Sequence, residues 1–298
     1  MTNHNRLQLL WLKLANSLVW KKMNPILNFD LSSEAYHAET ECASNSNLSL
    51  LKRSPIHMKW AQANPVESPA MRLGTLVHYA VLEGDAFDLL YVSGPEGDRR
   101  KKDVRDEWAY MIEEHGAEYV LKPDEFNQIQ AMRDAISSHP VASSLLLPAY
   151  GVKTEASCFW DDEYTGVRCK ARLDALPAGK NGDVICDLKT TVNGSAEEFS
   201  KKSFSFGYHR AAAHYLEAWK QCGDDDRPDF LFVVVEKNAP HGVSVFQMCE
   251  ASIALGRREL DRLLQGWQAC DEDGMWAGYP THVQQLTLPA YAFTQELL

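Results

Sequence analysis

The middle of the chain alternates hydrophobic and polar residues with a period of two, which is the pattern of half-buried β-strands. It predicts strands near residues 152–160, 166–176 and 183–190, separated by the turn-forming runs DDEYTG and PAGKNG. Further along, DFLFVVVE at 229–236 is almost wholly apolar, as expected of a strand covered on both faces, and 243–249 adds another strand. These segments are expected to build one central β-sheet.

Patterns with the helical period of 3.6 residues lie on both sides of this block. Ser68 and Pro69 are typical helix-starting residues, and the helix that they begin is expected to end at Gly84. Further helices are expected at 104–116, 123–138, 207–221 and 250–270, with a short one inside 41–60 that stops at Pro55. The alternation of strands with helices is typical of an α/β protein.

Composition narrows the class of protein. The chain has 30 Lys and Arg against 41 Asp and Glu, a net charge of −11, which argues against a surface coated in basic groups. That balance still allows nucleic acid to be held in a local basic groove. The seven cysteines include no CxxC pair, which is typical of reduced thiols in a cytosolic protein and provides no zinc or iron–sulfur framework.

The N-terminal segment at 7–20 is hydrophobic but too short to span a bilayer, and Lys13 and Asn16 interrupt it. It predicts an amphipathic helix rather than a membrane anchor, and no membrane partner is expected. We therefore expect residues 1–22 to form a helical extension and residues 23–298 to form the main domain.

Two of the predicted strands carry acidic residues and a lysine at their centres. Asp187 and Lys189 lie two residues apart in DVICDLKTT, so both side chains project from one face, about 6.5–7 Å apart. A hairpin with the preceding strand would bring Asp174 close to both. Two carboxylates, with the Leu188 carbonyl as a further ligand, suit Mg²⁺, and a neighbouring lysine can act on the attacking water and on developing charge. The alternative interpretation is a solvated ion pair between Asp187 and Lys189.

The order of these motifs resembles a known family. GxxxH (Gly74, His78), RxD (Arg172, Asp174), DxK (Asp187, Lys189) and GYxxxAAxY at 207–215 together resemble the PD-(D/E)xK nuclease superfamily. The resemblance is narrower still to the C-terminal nuclease domain of exonuclease VIII (RecE) and to RecB-type nucleases, and it covers residues 25–290. It implies a restriction-endonuclease-like α/β core, with a central mixed sheet flanked by helices.

The same resemblance implies the roles of the site residues. Lys189 would be the catalytic lysine, and Mg²⁺, or Mn²⁺ in its place, would be the cofactor, with no iron–sulfur cluster. The expected metal ligands are His78, Asp174, Asp187 and the carbonyl of Leu188.

Three further positions come from the resemblance alone. Glu155 stands at a position where members of the family often have an acidic residue, and the resemblance implies a supporting role for it. RecB-like nucleases carry Gln and Tyr one helical turn apart after DxK; here Tyr215 is present, but Ala211 stands at the Gln position. Either this lineage dispenses with the amide, or the chain was altered at this position so that its turnover is crippled.

The implied function is a Mg²⁺-dependent exonuclease that degrades linear double-stranded DNA from the 5′ end and leaves 3′ single-stranded tails for recombination. The resemblance also implies a homo-oligomeric ring (trimer or tetramer), a RecT-like single-strand annealing partner and, with the reduced thiols, a cytoplasmic location. The residues expected to contact DNA are Arg72, Arg99, Arg100, Lys101, Lys102, Arg172, Thr190, Thr191 and Tyr208.

Two alternatives remain open at the level of sequence. One is a structure-specific endonuclease of the same fold, and the other is a degenerate nuclease fold that binds DNA ends with little or no turnover. For the basic stretch 94–107, simple solvation of an exposed loop is the alternative to contact with phosphates.

Overall fold

The computed structural model describes residues 25–177, 184–223, 227 and 229–288. Its centre is a six-stranded, mostly antiparallel sheet in the order β1-β4-β5-β6-β7-β8, in which only β6 and β7 run parallel. A separate two-stranded sheet pairs β2 with β3. The strands are β1 (Ile26–Asn28), β2 (Val92–Ser93), β3 (Val120–Leu121), β4 (Lys153–Asp161), β5 (Arg168–Leu176), β6 (Val184–Thr191), β7 (Asp229–Glu236) and β8 (Val243–Gln247).

Helices cover both faces of the six-stranded sheet, which confirms the α/β fold class. A 3₁₀ turn, Pro148–Tyr150, precedes β4. The helices in the described part of the chain are α1 (Ser33–Ala38), α2 (Asn45–Arg53), α3 (Pro55–Ala63), α4 (Pro69–Leu82), α5 (Gly84–Leu90), α6 (Lys102–His115), α7 (Pro123–Ser138), α8 (Pro140–Leu146), α9 (Ala196–Phe206), α10 (Tyr208–Cys222) and α11 (Glu250–Asp273).

The sheet separates two hydrophobic cores. Strand β7 shows why its sequence is apolar throughout: Phe230, Phe232 and Val234 pack in one core, and Val233 and Val235 in the other. The first core also contains residues from α2, α3, α9, α10 and α11, and the second contains residues from α4, α5, α7 and α8. Because the centre of the sheet is buried on both faces, the polar side chains there, such as Asp187, are enclosed by packed residues.

Several predicted elements are confirmed closely. The helix predicted at 123–138 and the strand predicted at 229–236 have those bounds, and the helix from Pro69 ends at Leu82, two residues before Gly84. The three strands around the candidate site and the two long C-terminal helices are also present. All but the first residue of the predicted PAGKNG turn, and the predicted N-terminal helix, lie outside the described residues.

Other predictions are wrong in detail. The short helix predicted within 41–60 does stop before Pro55, at Arg53, but the prediction missed that Pro55 begins the next helix, α3, where a missing N–H costs nothing. Lys102 lies in a helix rather than in the predicted loop, since α6 begins there. The sequence reading also missed α9, which occupies the segment between β6 and the predicted helix at 207–221. Among the described residues, no helix has the length and apolar character needed to cross a membrane.

Candidate active site

The candidate site lies where strands β5 and β6 stop pairing. Their ladder is limited to Ala175 and Cys186. Next to that pair, the Asp174 carboxylate accepts a hydrogen bond of 2.8 Å from the backbone N–H of Leu188. A side chain thus takes the place of a backbone acceptor, and Asp174 is held against β6 as the predicted hairpin required.

Helix α4 brings His78 to the same point from the second core. The ring Nδ1 lies 2.8 Å from the Gly74 carbonyl one turn earlier, which assigns the proton to Nδ1 and turns Nε2 toward Asp174, 3.1 Å away. Metal-binding histidines are oriented in this way by a backbone carbonyl. Burial lowers the pKa of His78, but the Asp174 carboxylate outweighs it, and the pKa is raised to about 9.

Asp187 is the most deeply buried charge of the site, at 1% exposure. Its Oδ2 contacts the Lys189 ammonium, while Oδ1 has no hydrogen-bond partner among the described residues. Burial raises the pKa of Asp187 to about 6, although Lys189 acts to lower it. The pKa of Lys189 is lowered by burial and raised further by Asp187, so its net shift is upward and the side chain is a cation at neutral pH. An orphaned buried carboxylate oxygen costs stability in the absence of a cation.

The donors present fit a hard divalent cation. They are the Nε2 of His78, the carboxylates of Asp174 and Asp187, and the Leu188 carbonyl, which lies 3.5 Å from the Lys189 ammonium. An oxygen-rich set of this kind suits Mg²⁺ or Mn²⁺. Within the described ranges, no three His, Cys, Asp or Glu side chains are already arranged as a metal centre. Each carboxylate is instead engaged by His78 or Lys189, so a bound ion would replace those contacts.

Glu155 stands beside this group; it and Asp174 lie between the Thr154–Ala175 and Ala156–Leu173 pairs of β4 and β5, where the register is interrupted. Its φ of 56° lies in the left-handed region that non-glycine residues rarely adopt. Burial and then the Asp174 charge raise its pKa, against the lowering effect of Arg172, with which it forms an ion pair. Arg172 also donates to the Leu31 carbonyl at 2.8 Å and to the Ser157 hydroxyl at 2.9 Å. All of these Arg172 contacts are within the protein, and its predicted contact with DNA stays a prediction.

Helix α10 closes the site on the first-core side. Tyr208 lies under Lys189, with the ammonium 5.4 Å from the centre of its ring. Tyr215 is half-buried, and burial, followed by the charges of Asp187 and Asp174, raises its pKa well above the ordinary value. Ala211, one turn before Tyr215, is 3% exposed. The structure thus brings Tyr208 and Tyr215 to the site and buries Ala211 on the same helix.

Two of the predicted DNA-contacting arginines share a groove of about 750 Å³ at the start of α4. Arg72 pairs with Glu125 at 3.2 Å, and the guanidinium of Arg99 lies 4.0 Å from the centre of the Trp108 ring. The groove is formed by the same helix that carries His78. Residues of α6 and α7 line it as well, but none of the four site residues His78, Asp174, Asp187 and Lys189 does, so the DNA contacts of Arg72 and Arg99 stay predictions.

The remaining predicted contacts are dispersed. Arg100 pairs with Asp98 at 2.8 Å, and Lys101 and Lys102 are exposed at the start of α6. Thr190 faces α4, since a Cβ on Gly74 would lie 3.8 Å from the Thr190 hydroxyl. Thr191 is buried on the opposite face of the strand.

Sequence reasoning missed Lys202, which α9 places at the end of β6. Its ammonium donates to the Thr191 hydroxyl at 2.7 Å. Thr191 is two residues beyond Lys189 on the same face of the strand, so Lys202 extends the row of charged groups that Asp187 and Lys189 begin. The mixture of basic and aromatic residues in KKSFSFGY at 201–208 was the available signal.

The comparisons with known proteins agree with the fold. A family described as a PDDEXK-like domain of unknown function (DUF3799) matches residues 44–288. A crystal structure of a "Putative exonuclease" from Eubacterium rectale is similar with a TM-score of 0.51 and 13% sequence identity, over 89% of this chain and 98% of that one. At that identity the likeness concerns the fold. A comparison with curated protein sequences gave no match.

Proposed function

Because the chain belongs to the PDDEXK-like DUF3799 family, we propose that it is a divalent-metal-dependent deoxyribonuclease that digests linear double-stranded DNA from its ends. One observation carries the proposal: His78, Asp174, Asp187 and Lys189 meet where β5 and β6 separate. A buried group of two carboxylates, one imidazole and one lysine is costly as a purely structural feature, which favours a functional role.

Each residue has a distinct task in this proposal. The ion, when bound, polarises the phosphate and activates a water. Asp174 and Asp187, with His78 and the Leu188 carbonyl, would hold it, and the Gly74 carbonyl keeps the His78 Nε2 turned toward the site. Lys189 orients the attacking water and stabilises the negative charge that develops on the phosphate oxygens, for which its cationic state is suited. Glu155, held by Arg172, supports Asp174 from the neighbouring strand.

Finer features of the proposal rest on the resemblance to RecE-type nucleases. They are Mg²⁺ as the ion, 5′→3′ digestion that leaves 3′ tails for recombination, a ring of three or four subunits, a single-strand annealing partner and a cytoplasmic location. A ring would also reconcile the acidic net charge with DNA binding. A net charge of −11 is compatible with DNA binding if the basic residues face an enclosed channel.

A comparison of substrates tests the proposal. Purified protein is incubated with Mg²⁺ and with end-labelled linear duplex, covalently closed circular duplex or nicked circular duplex of the same sequence. Loss of the linear duplex alone is the expected result. Cleavage of the closed circle would instead indicate an endonuclease of this fold, and binding of linear ends without hydrolysis would indicate an end-binding protein.

A further inference from the structure

The last turn of α9 and Gly207, residues 204–207, form the connector to α10 and present aromatic rings next to the candidate site. Phe204 and Phe206 are 68% and 61% exposed, which is unusual for two phenylalanines only two residues apart. The Phe206 ring lies 5.9 Å from the Tyr208 ring, at an interplanar angle of 33°. The Phe204 ring instead stacks on His209 at 5.8 Å. Of these two exposed phenylalanines, Phe206 is therefore the one that adjoins Tyr208, the ring that lies under Lys189.

This connector is held rigidly. Gly207 has a φ of +71°, and a Cβ there would lie 2.6 Å from a guanidinium nitrogen of Arg210. Arg210 is 2% exposed and donates to Asn45 at 3.2 Å and to Glu259 at 3.2 Å, which ties the start of α10 to α2 and α11. The position of the Phe206 backbone is thus fixed from three helices. A fixed, exposed ring is suited to receive a flat ligand at little entropic cost.

Positive charge lies beside these rings. The centre of the Tyr208 ring is 5.4 Å from the Lys189 ammonium. The Phe206 ring centre is therefore at most 11.3 Å from that ammonium, the sum of the ring–ring and ring–ammonium distances. At about 3.4 Å per stacked base, this is a span of about three nucleotides. Lys202, on the same helix as Phe206, lies at the Thr191 end of the row.

We propose that Phe206 and Tyr208 form a stacking surface for an unpaired base of the DNA strand that is cut beside Lys189. Single-stranded nucleic acid is bound by aromatic rings next to a positively charged track, and both are present here. Lys202 contacts the backbone of that strand, while Phe206 receives a base within three nucleotides of the scissile phosphate. The inference rests on the proposed nuclease function and adds the form of the substrate: the strand at the site is locally unpaired.

Fluorescence of 2-aminopurine tests the stacking without hydrolysis. Short single-stranded oligodeoxynucleotides with one 2-aminopurine at successive positions from the 5′ end are titrated with protein in EDTA. Wild-type protein and Phe206→Trp are expected to quench one position specifically. Phe206→Ala should lose that quenching and about 5- to 150-fold in affinity, the equivalent of about 1–3 kcal/mol per stacked base.

The matched control is Phe204→Ala, which removes an equally exposed phenylalanine from the same connector and should bind and quench like wild type. Thermal unfolding of each variant checks that the fold is kept. Unchanged quenching in Phe206→Ala, or equal loss in both alanine variants, overturns the stacking surface. If wild type hydrolyses linear duplex but shows no position-specific quenching, this inference fails alone. If wild type neither binds DNA nor hydrolyses it, the proposed function fails as well.

Discussion

Lys189 occupies the position on which the proposed chemistry depends most. Its ammonium contacts Asp187, lies 3.5 Å from the Leu188 carbonyl and stands over the Tyr208 ring. A cation fixed by so many neighbours is preorganised for charge that appears only in the transition state. Such a group contributes to rate more than to binding.

Replacing Lys189 should therefore separate turnover from affinity. We expect Lys189→Ala to bind linear duplex nearly as well as wild type and to lose on the order of 10² or more in kcat. Single-turnover hydrolysis and fluorescence anisotropy measure the two quantities. The control is Lys201→Ala, which removes an exposed lysine paired with Glu197 and Glu198 and should change neither. A loss of affinity with unchanged kcat would make Lys189 an ordinary ion-pair partner.

Ala211 gives a second prediction for a single residue. In RecB-like nucleases a Gln stands at this position, one turn from the tyrosine that corresponds to Tyr215. If the missing amide limits turnover, Ala211→Gln should raise the rate about ten- to a hundredfold, the worth of one hydrogen bond to a charged group. Because Ala211 is 3% exposed, the larger side chain is also expected to cost about 1–3 kcal/mol of stability.

The measurement pairs the initial rate on linear duplex with urea unfolding of the same preparation. A stability loss without any gain in rate would show that the amide has no role in this chain.

At the level of elements, helix α10, which carries Tyr208 and Tyr215 of the candidate site, packs closely against α11. A Cβ on Gly256 of α11 would lie 2.2 Å from the His209 carbonyl oxygen of α10. We expect Gly256→Ala to force the helices apart and to lower the free energy of unfolding by about 1–3 kcal/mol. Urea unfolding measures the change.

The same helix offers the matched control. A Cβ on Gly266 would meet nothing within 4 Å, so Gly266→Ala should raise the free energy of unfolding by about 0.5–1 kcal/mol through helix propensity. If Gly256→Ala and Gly266→Ala both raise the free energy of unfolding, α10 and α11 do not pack closely at Gly256.

The elements also show what the sequence could predict. The apolar run 229–236 and the spaced hydrophobic residues of 123–138 determine their structure locally, and their bounds were predicted correctly. The stop before Pro55 was predicted correctly, but the helix that Pro55 itself begins was missed, because proline both ends one helix and suits the first position of the next. Helix α9 was missed because much of KKSFSF is exposed and lacks a clear apolar stripe; its only fully buried side chains are Phe199 and Ser203.

The candidate site, too, has parts that the local sequence could predict and parts that it could not. The spacing of Asp187 and Lys189 on one strand face follows from the period of a strand and could be predicted. The approach of His78 to Asp174 depends on how α4 packs against the sheet, and the sequence supplied it only through resemblance to a family. The Glu155–Arg172 pair depends on how β4 and β5 align, which leaves no local signal. The run KKSFSFGY marks Lys202 as a candidate, but its contact with Thr191 depends on where α9 packs.

For the whole molecule, the net charge of −11 makes the few basic groups near the site decisive for binding DNA. Lys189 and Lys202 line the end of β6, and Arg72 and Arg99 line the groove at α4. With a small number of phosphate contacts, affinity for duplex ends should depend on salt less steeply than that of a protein with a broad basic face.

The central claim is that Asp174 and Asp187 form a metal-dependent nuclease site. The most direct test is hydrolysis of an end-labelled linear duplex by wild type and by Asp187→Ala, each in Mg²⁺ and in EDTA. Circular dichroism checks that the variant is folded. We expect wild type to digest the duplex only in Mg²⁺ and the variant to digest it in neither condition, because the buried carboxylate that holds the ion is gone. Equal activity of wild type in EDTA and in Mg²⁺, or full activity of folded Asp187→Ala, would contradict the account.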